Sequence, residues 1–456
     1  MNTFRDKHPD FEYILWTEEE MVKRGFRLEN QVAYDRMTEW CGKADILRWE
    51  LLYRYGGIYQ DADSVCLEPF DDTFLSKSAF AAYENEIARQ GLVAVGTMGF
   101  PPKHPLCRAA IDWIANNDTC PQTCGLRAWA TTGPVLLTNL LNSGKYPDFS
   151  VFPSHCFIPN HFTGVNYTGH KKVHCYQEWG STKQNYEVMH GIEVPRELLE
   201  PTEWVSVLVS SYNTKFLYVK ECLESIRCQT GHFGIELVWI NDGSDEVSTR
   251  LLEAELERFR TSTRFTRLIY SKNPENMGLA ASLNFGVHLC TCDLVVRMDA
   301  DDIMTPDRIE KQLAFMRANP DCMMAGAQLH MFRCEGGGES GEKGGEKVLI
   351  QRTDHPGEIT MDWLRTTRSD WFMNHPTMIF RKAAVLEVGN YNADMRNTSE
   401  DYDLELRMLK RYGKLRNMHD TVLYYRIHPD QSTYAGKSMT PENVAAREQM
   451  KEAVFA

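Results

Sequence analysis

The stretch DLVVRMDADD, residues 293–302, is an apolar, β-branched run with three aspartates among its last four residues. It predicts a short strand buried on both faces, because such runs suit a sheet covered by helices on each side. Two earlier runs have the same form, VSVLV at 205–209 and IELVWI at 235–240, and segments with helical spacing separate the three. This alternation predicts right-handed crossovers and a mostly parallel sheet, an α/β fold of Rossmann-like type.

Polar residues follow all three strands at the point where each ends. Tyr212 and Asn213 follow the first, Asp242 the second, and Asp299 and Asp301 the third. Because the carboxyl ends of parallel strands lie along one edge of a sheet, where open α/β folds bind ligands, these side chains are predicted to converge on one crevice. The alternative is that the acids only cap the helices that follow. Three strand ends in register favour the crevice.

The chemistry of such a crevice suits a nucleoside diphosphate and a metal ion. Asp299 and Asp301 offer oxygen ligands for Mg²⁺ or Mn²⁺, which leave coordination positions open for phosphate oxygens. Gly243 allows the backbone to approach a ligand closely, and the carboxylate of Asp242 can accept hydrogen bonds from a base or ribose.

A separate acidic pair, Glu400 and Asp401, begins a helical pattern. It predicts a general base that takes a proton from an acceptor hydroxyl in the same crevice. The alternative is that both acids only interact favourably with the helix dipole. Spacing alone does not decide, because DYD at 401–403 has the same form as the aspartates at 299–301.

Several motifs in this half together resemble the inverting glycosyltransferases of family 2, which have the GT-A fold. The resemblance covers about residues 205–433 and rests on VSVLVSSYN, INDGSDE, NMGLAASLNFG, VVRMDADD, NHPTMIFR, SEDYDLELR and YYRIHPDQS, in that order. It implies that Asp242 contacts the nucleotide base. It also implies that Asp299 and Asp301 are the Asp-x-Asp motif, with Asp301 the better candidate for direct metal ligation.

The resemblance further implies a single-displacement mechanism. Asp401, following Glu400, would be the catalytic base that activates an acceptor hydroxyl, and the anomeric configuration would invert. His428 would add to the metal or diphosphate site, although a surface histidine with no such role is the alternative.

The N-terminal half contains its own acidic pair. FEYILW at 11–16 is predicted as a strand, and KADILRWELLYRY at 43–55 as a helix that ends at Gly56 and Gly57. IYQ is then a short strand that delivers the aspartates of DAD at 61–63. Asp45 and Arg48 are three apart, so they lie on one helix face and are suited to bind a sugar or a diphosphate. The alternative is a surface ion pair.

This half resembles a second family, the retaining, Asp-x-Asp-containing glycosyltransferases of family 32, which include yeast initiating mannosyltransferases and sugar-transferring domains of bacterial toxins. The shared pieces are Ala-Asp-x-x-Arg, Gly-Gly-x-Tyr and Asp-x-Asp, followed by TTGPVLLTNLL and VHCYQEWGSTK. The resemblance implies that Asp45 and Arg48 bind the donor sugar and that Asp61 and Asp63 bind the nucleotide and the metal.

Three later residues would close this second site by the same resemblance: His174, also as a metal ligand, Trp179 and Ser181. One departure concerns the strand with which the family normally opens. The chain begins about ten residues before FEYILW, so that strand is expected to be absent.

Composition narrows the class of protein. The chain has 456 residues and a net charge of −13, which argues against nucleic acid as the main partner. Its 13 cysteines show no disulfide or zinc spacing, and neither a signal peptide nor an apolar run long enough for a membrane anchor is present. We expect a cytoplasmic protein with free thiols, from a bacterium or from a large DNA virus in its host.

The two resemblances together imply two GT-A-like domains in tandem, at 1–192 and 205–456, joined by a linker at 193–204, with a flexible glycine-rich insert at 334–347. The expected function is metal-dependent transfer of two successive sugars from UDP- or GDP-sugars to a glycan acceptor. The alternative is that only the C-terminal domain is catalytic and that the N-terminal domain binds or scaffolds a glycan. A sugar nucleotidyltransferase is disfavoured, because no glycine-rich triphosphate loop follows VSVLV.

Overall fold

The computed structural model describes residues 2–183, 195, 198–335, 346–395, 399–429, 431 and 440–455. The chain divides into two compact units: unit 1 comprises Met1–Tyr167 and Lys172–Glu193, and unit 2 comprises Thr168–Lys171 and Val194–Ala456. Most of the predicted insert at 334–347 and part of the predicted linker at 193–204 lie outside the described residues.

Unit 1 combines short strands with helices of very different lengths. Its helices are α1 Asn2–Lys7, α2 Glu18–Lys23, α3 Gln31–Arg36, α4 Trp40–Tyr55, α5 Asp72–Leu75, α6 Pro105–Asn116, α7 Pro121–Cys124, α8 Ala128–Thr131, α9 Pro134–Asn142 and α10 Gly180–Lys183, with a 3₁₀ turn at Ser154–Cys156. Its strands are β1 Gly57–Gln60, β2 Ser64–Cys66, β3 Ala79–Asn85, β4 Arg89–Val93, β5 Thr97–Phe100, β6 Phe149–Phe152 and β7 Cys175–Gln177.

The main sheet of unit 1 corrects the prediction of a mostly parallel sheet. Its strand order is β1-β5-β3-β4, with β6 beside β3, and within the described residues only the β3–β6 pairing is parallel. The connection between β3 and β4 is a tight hairpin, which joins antiparallel strands. The predicted strand at 11–16 is also absent: this segment has no strand pairing, and the indole of Trp16 packs against Phe26 and Tyr55.

Helix α4 matches the sequence prediction and positions two candidate residues. It ends at Gly56, which adopts φ 68° and whose N–H donates to the carbonyl of Leu52. A side chain is disfavoured at such a φ, and this explains a glycine there. Trp49 anchors the inner face of the helix, since it is fully buried and donates to the carbonyl of Thr132. Strand β1 follows directly, as predicted for IYQ.

Unit 2 alternates strands and helices through its first half. Its strands are β8 Trp204–Ser211, β9 Gly234–Asn241, β10 Thr266–Lys272, β11 Leu294–Asp299, β12 Ile303–Met304, β13 Met324–Glu335, β14 Glu346–Arg352, β15 Glu358–Thr360, β16 Ile379–Arg381 and β17 Lys414–Arg426. Its helices are α11 Phe216–Arg227, α12 Glu246–Ser262, α13 Leu279–Leu289, α14 Arg308–Ala318, α15 Met361–Thr367, α16 Lys382–Glu387, α17 Glu400–Tyr412 and α18 Pro441–Phe455, with a 3₁₀ turn at His375–Thr377.

The sheet of unit 2 is parallel where the sequence predicted it and mixed beyond. The order β10-β9-β8-β11 is parallel throughout, with β8 and β9 buried on both faces as their apolar runs require. The sheet continues through β16, β13, β17 and β12, and there only the β13–β17 pairing is parallel among the described strands. The unit is therefore α/β with a mixed sheet, and the expectation of a mostly parallel one holds for its first four strands.

Among the described residues, no helix is both long enough and apolar enough to span a membrane.

Candidate functional site

The three strand ends singled out in the sequence do meet at one edge of the unit 2 sheet. Asp299 at the end of β11 pairs with Ser210 of β8, and Ser211 pairs with Asn241 of β9. The N–H of Asp242 donates to the carbonyl of Ser211 over 2.8 Å, so the turn after β9 stays next to the end of β8. The backbone at 210–213, 241–243 and 299–302 thus forms one continuous edge.

The carboxylate of Asp242 is used to hold a turn. It accepts hydrogen bonds from the side-chain amide of Asn273 and from the N–H groups of Met277 and Gly278, at 2.7 to 2.9 Å. The residue is only 3% exposed. Asp242 therefore fixes the 273–278 turn that leads into α13, and both of its oxygens have protein partners.

Tyr212 and Asn213 line the same edge in different ways. The side chain of Tyr212 is exposed. Asn213 adopts φ 47°, its N–H donates to the hydroxyl of Ser244, and its side-chain oxygen accepts from the N–H of Asp245. Asn213 thus ties the turn after β8 to the turn after β9, and Tyr212 remains open to a ligand.

Asp299 is held by a buried arginine that the sequence analysis did not assign. Arg297 donates to both oxygens of Asp299, at 2.6 and 2.8 Å, and its side chain is 2% exposed. Burial raises the pKa of Asp299, the positive charge of Arg297 opposes this, and the nearby charges of Asp301 and Asp401 add to it. Arg297 and Asp299 are two apart on β11, and residues two apart on a strand point to the same face. This spacing could have identified Arg297 as the partner of Asp299 from the sequence.

Asp301 contacts a histidine from the far end of the chain. Its Oδ2 lies 2.8 Å from Nε2 of His428, which follows β17. The carbonyl of Asp301 also accepts from Nε of Arg426, whose N–H donates to Oδ1 of Asp302. Asp302 is fully buried, and burial with the charges of Asp301 and Asp299 raises its pKa well above the usual range. Asp302 therefore organises the β11–β17 junction, whereas Asp301 faces the crevice.

The donor set at Asp301 suits a divalent cation in part. Two ligand atoms about 2.1 Å from one ion and at right angles lie about 3 Å apart, close to the observed separation of Asp301 and His428. Nδ1 of His428 is buried and has no protein partner in the described part of the chain. Within the same residues no cluster of three His, Cys, Asp or Glu ligands is assembled. The pair would thus leave most coordination positions to substrate oxygens and water.

Glu400 and Asp401 lie at the start of α17, beside the end of β11. Glu400 is 8% exposed, and burial followed by the charge of Asp401 raises its pKa to about 7. Asp401 accepts from the N–H of Tyr402 and is more exposed than Glu400. The preceding residue, Ser399, adopts φ 59° and is held by Nε of Arg447 in α18, 2.7 Å from its hydroxyl. The helix start is therefore fixed by a second helix.

The acidic site of unit 1 consists of Asp45, Arg48, Asp61 and Asp63, and the buried side chain of Arg48 lies at its centre. Nη2 of Arg48 lies 3.0 Å from Asp61 and 3.3 Å from Asp45, and the guanidinium stacks over the ring of Tyr59. Asp45 and Arg48 are each 3% exposed, so they are no surface ion pair. Burial raises the pKa of Asp61 to about 6, and Arg48 opposes that rise.

The residues expected to close this site separate into two groups. Oδ2 of Asp63 accepts from the N–H of Gly180, so Trp179 lies beside Asp63. His174 does not: β2 pairs with β7 so that Cys66 faces Cys175, which puts His174 about four strand residues, roughly 13 Å, from Asp63.

His174 has a structural environment in place of the expected metal. Its Nδ1 hydrogen-bonds the carbonyl of Pro69, its ring packs edge-on against Phe74, and burial lowers its pKa to about 4. Ser181 lies in α10, and its side chain is outside the described part of the structure.

Gly133, the glycine of TTGPVLLTNLL, is a further unit 1 residue beside the site. A Cβ at this position would lie 2.6 Å from Oδ2 of Asp45 and 3.3 Å from Cα of Trp129. The hydroxyl of the preceding Thr132 donates to the same oxygen of Asp45. The 132–133 turn is therefore packed directly on the carboxylate.

Comparisons with known proteins find glycosyltransferase matches in both halves of the chain. Residues 206–388 match a family model described as "Glycosyl transferase family 2", and residues 1–81 match one described as "Glycosyltransferase sugar-binding region containing DXD motif". An uncharacterized glycosyltransferase of Haemophilus influenzae is 32% identical over 225 residues, 49% of this chain and 75% of that protein. The amylovoran biosynthesis glycosyltransferase AmsE of Erwinia amylovora is 30% identical over 226 residues, 49% of this chain and 77% of that protein.

Two solved structures are similar to part of the chain. One is Staphylococcus aureus TarS 1-349 in complex with UDP, with a TM-score of 0.40 and 17% sequence identity. The match covers 55% of this chain and 65% of that one. The mannosyltransferase PcManGT from Pyrobaculum calidifontis, in complex with GDP-Man and Mn²⁺, has a TM-score of 0.38 at 14% identity and covers 60% of this chain and 72% of that one.

Proposed function

The chain belongs to glycosyl transferase family 2, and from that premise we propose that unit 2 transfers a sugar from a nucleotide-sugar donor to a glycan acceptor in polysaccharide or glycoconjugate synthesis. The observation that carries the proposal is the charge cluster at the carboxyl edge of the parallel strands. There Asp299 and Asp301 lie beside a helix start with two further acids, Glu400 and Asp401, around buried Arg297.

The chemical roles follow from how each acid is held. Asp401 is the more exposed acid of its pair and is proposed as the base that accepts the proton of the acceptor hydroxyl. The hydroxyl oxygen then attacks the anomeric carbon while the bond from that carbon to the diphosphate breaks on the opposite face. Glu400 holds a proton up to about pH 7 and so limits the negative charge beside Asp401.

A divalent cation, Mn²⁺ or Mg²⁺, fits the Asp301 and His428 donor pair, with Asp299 adjacent. When bound, the cation supplies neutralisation of the negative charge that develops on the departing diphosphate. Arg297 already forms an ion pair with Asp299, whereas Asp301 has no arginine or lysine partner among the described ion pairs. We therefore propose Asp301 as the carboxylate that binds the ion.

We further propose that the two units are tandem GT-A-like domains and that unit 1 is a second donor site, with Asp45, Arg48, Asp61 and Asp63 as its binding residues and retention as its stereochemistry. The buried cluster around Arg48 supports a built polar site. A second candidate is a unit 1 that binds glycan without transferring sugar. It is favoured by the position of His174, which leaves Asp63 without the histidine ligand that the family resemblance implied.

The test is release of nucleoside diphosphate from a panel of UDP- and GDP-sugars by the full chain with Mn²⁺. Asp401→Asn and Asp301→Asn are each expected to lower release from the donor that unit 2 uses by about 10²- to 10⁴-fold. Asp362→Asn, on an exposed helix start, is the matched control and should leave release unchanged. Full activity of the Asp401→Asn variant contradicts the assignment of Asp401 as the base. Activity that survives removal of the metal ion by a chelator contradicts the proposed metal dependence. No release from any donor contradicts the proposed function.

The second site is tested by Asp61→Asn with Asp63→Asn. Loss of one donor from the panel, with the others retained, is expected if unit 1 transfers a sugar. An unchanged panel favours the glycan-binding candidate.

A further inference from the structure

A row of side chains that the proposed function does not use borders the acidic site of unit 1. It begins at Trp129, whose Cα packs against Gly133 and so lies next to the turn on Asp45. It ends at Trp179, which immediately precedes the glycine that donates to Asp63. Between them stand Arg89 and Phe162. We call these four residues, Trp129, Arg89, Phe162 and Trp179, the aromatic wall.

The members of the aromatic wall contact one another in sequence. The guanidinium of Arg89 lies 5.2 Å from the ring centre of Trp129 and 6.0 Å from that of Phe162. The ring of Phe162 lies 5.1 Å from that of Trp179 and at 64° to it. These contacts connect the Asp45 side of the acidic site to the Asp63 side, so the wall follows the border of the site.

Contacts with neighbouring residues hold Phe162 and Trp179 in place, and part of the surface of Trp129 and of Phe162 is exposed to solvent. Nε1 of Trp179 donates to the carbonyl of Asn160, and His161 packs against both Phe162 and Trp179 while it hydrogen-bonds Glu84. In contrast, Trp129 is 40% exposed and Phe162 is 36% exposed. Large aromatic side chains left this open beside a fixed polar site have surface available for a ligand.

From these contacts we propose that the aromatic wall is the acceptor subsite of unit 1 and that it binds the pyranose rings of a neutral oligosaccharide. The negative faces of aromatic rings attract the polarised C–H groups on the flat side of a pyranose, and the guanidinium of Arg89 supplies several N–H donors for its hydroxyls. This inference rests on the proposed function, because it takes the neighbouring Asp61 and Asp63 to be the donor side.

Charge selects a neutral saccharide over an anionic one. The wall and the site beside it carry four acids, Asp45, Asp61, Asp63 and Glu84, against the two guanidinium groups of Arg48 and Arg89. Arg48 is already committed to carboxylates, and Arg89 lies 3.9 Å from Glu84. A uronic acid or a phosphorylated sugar would bring further negative charge to this cluster without the cation that we propose for the donor diphosphate, whereas a neutral saccharide would not.

The experiment is saturation-transfer NMR on the full chain with four methyl glycosides of neutral disaccharides, namely cellobiose, lactose, α-1,3-mannobiose and chitobiose, with mannitol as a probe that has the hydroxyls but no ring face. At least one disaccharide should bind, with its signal on ring C–H protons, and mannitol should not. Trp129→Ala should weaken binding about tenfold. Arg89→Ala should weaken it as well, and it removes a partly exposed side chain without touching the core.

Trp40→Ala is the matched control, since Trp40 is the more exposed tryptophan and its indole packs against Lys43, which is not part of the aromatic wall. It should change the affinity less than twofold. The inference is overturned if no disaccharide binds at millimolar concentration, if mannitol binds equally well, or if Trp40→Ala and Trp129→Ala weaken binding equally.

A second arm separates this inference from the donor site. Asp61→Asn with Asp63→Asn should abolish donor use by unit 1 and leave disaccharide binding in place. If the wild type binds the disaccharide through Trp129 but unit 1 uses no donor, the wall stands and the second transfer fails. If unit 1 uses a donor and Trp129→Ala leaves both binding and transfer unchanged, the wall fails and the donor site stands.

Discussion

Replacing Arg297 by methionine should destabilise unit 2 far more than removal of a surface arginine would. The guanidinium makes two contacts with Asp299, at 2.6 and 2.8 Å, and its side chain is 2% exposed whereas that of Asp299 is 27% exposed. Removing one partner of a buried pair costs about 3–5 kcal/mol. Because Asp299 retains some contact with water, we expect the lower end of that range, about 3 kcal/mol, which corresponds to a fall in Tm of roughly 6–12 °C.

The assay is thermal and urea unfolding in the presence of a chelator, so that no metal ion substitutes for the lost charge. Methionine has nearly the volume of the arginine stem, which keeps packing comparable. Arg260→Met is the control: Arg260 pairs with Glu257 on the exposed face of α12, and its loss should not shift unfolding measurably.

A double-mutant cycle isolates the charge pair from other effects. Asp299→Asn alone leaves Arg297 buried opposite a neutral group, and the double variant removes both charges. We expect the double variant to be more stable than the sum of the single effects predicts, by about 1–3 kcal/mol. Additive losses, or a loss for Arg297→Met equal to that of the control, would refute the view that Arg297 is the counter-charge of the cluster.

Three further outcomes follow from the geometry. The pKa of Glu400, about 7, exceeds its unfolded value, so the stability it contributes is fully present below about pH 4.5 and is lost as the pH rises through 7; Glu400→Gln should flatten the fall in urea stability between pH 5 and 8. Gly133→Ala puts a Cβ 2.6 Å from Asp45 and should destabilise the protein by about 1–3 kcal/mol, and an unchanged Tm would mean that the 132–133 turn moves freely. His428→Ala should raise the Mn²⁺ concentration needed for half-maximal activity about 10- to 100-fold while activity at saturating Mn²⁺ falls less, whereas an equal loss at every concentration would exclude a ligand role.

The parts of the fold that the sequence predicted are those encoded locally. The parallel strands β8, β9 and β11 are continuous apolar runs, and α4 has both its apolar face and its terminal glycine in one stretch. The antiparallel additions were not predictable in this way. Strand β16 inserts between β11 and β13, and its partners lie tens of residues away along the chain, so no local pattern specifies the pairing.

The candidate site divides along the same line. Arg297 could have been found from its two-residue offset to Asp299, because strand geometry fixes which side chains share a face. The contact between Asp301 and His428 joins positions 127 residues apart, and motif resemblance rather than pattern pointed to it. Gly133 could not be assigned from pattern at all, since its importance comes from what a side chain there would strike.

The aspartates at 61–63 and 299–301 have the spacing of those at 401–403, and their surroundings distinguish them. In the first two triplets the leading aspartate contacts an arginine whose side chain is almost fully buried, 4% exposed for Arg48 and 2% for Arg297. In the third triplet, the last aspartate, Asp403, pairs with Arg407, whose side chain is 28% exposed. The two are neighbours because residues four apart lie on the same face of a helix. In the first two triplets the arginine engages the leading carboxylate, so the next one, Asp63 or Asp301, lies outside that ion pair and is the one we propose as a metal ligand. In the third, the ion pair engages Asp403 and leaves Asp401 outside it. The same spacing therefore gives two different arrangements: a leading aspartate held by a buried arginine at 61–63 and 299–301, and at 401–403 a helix start whose first aspartate is our proposed base.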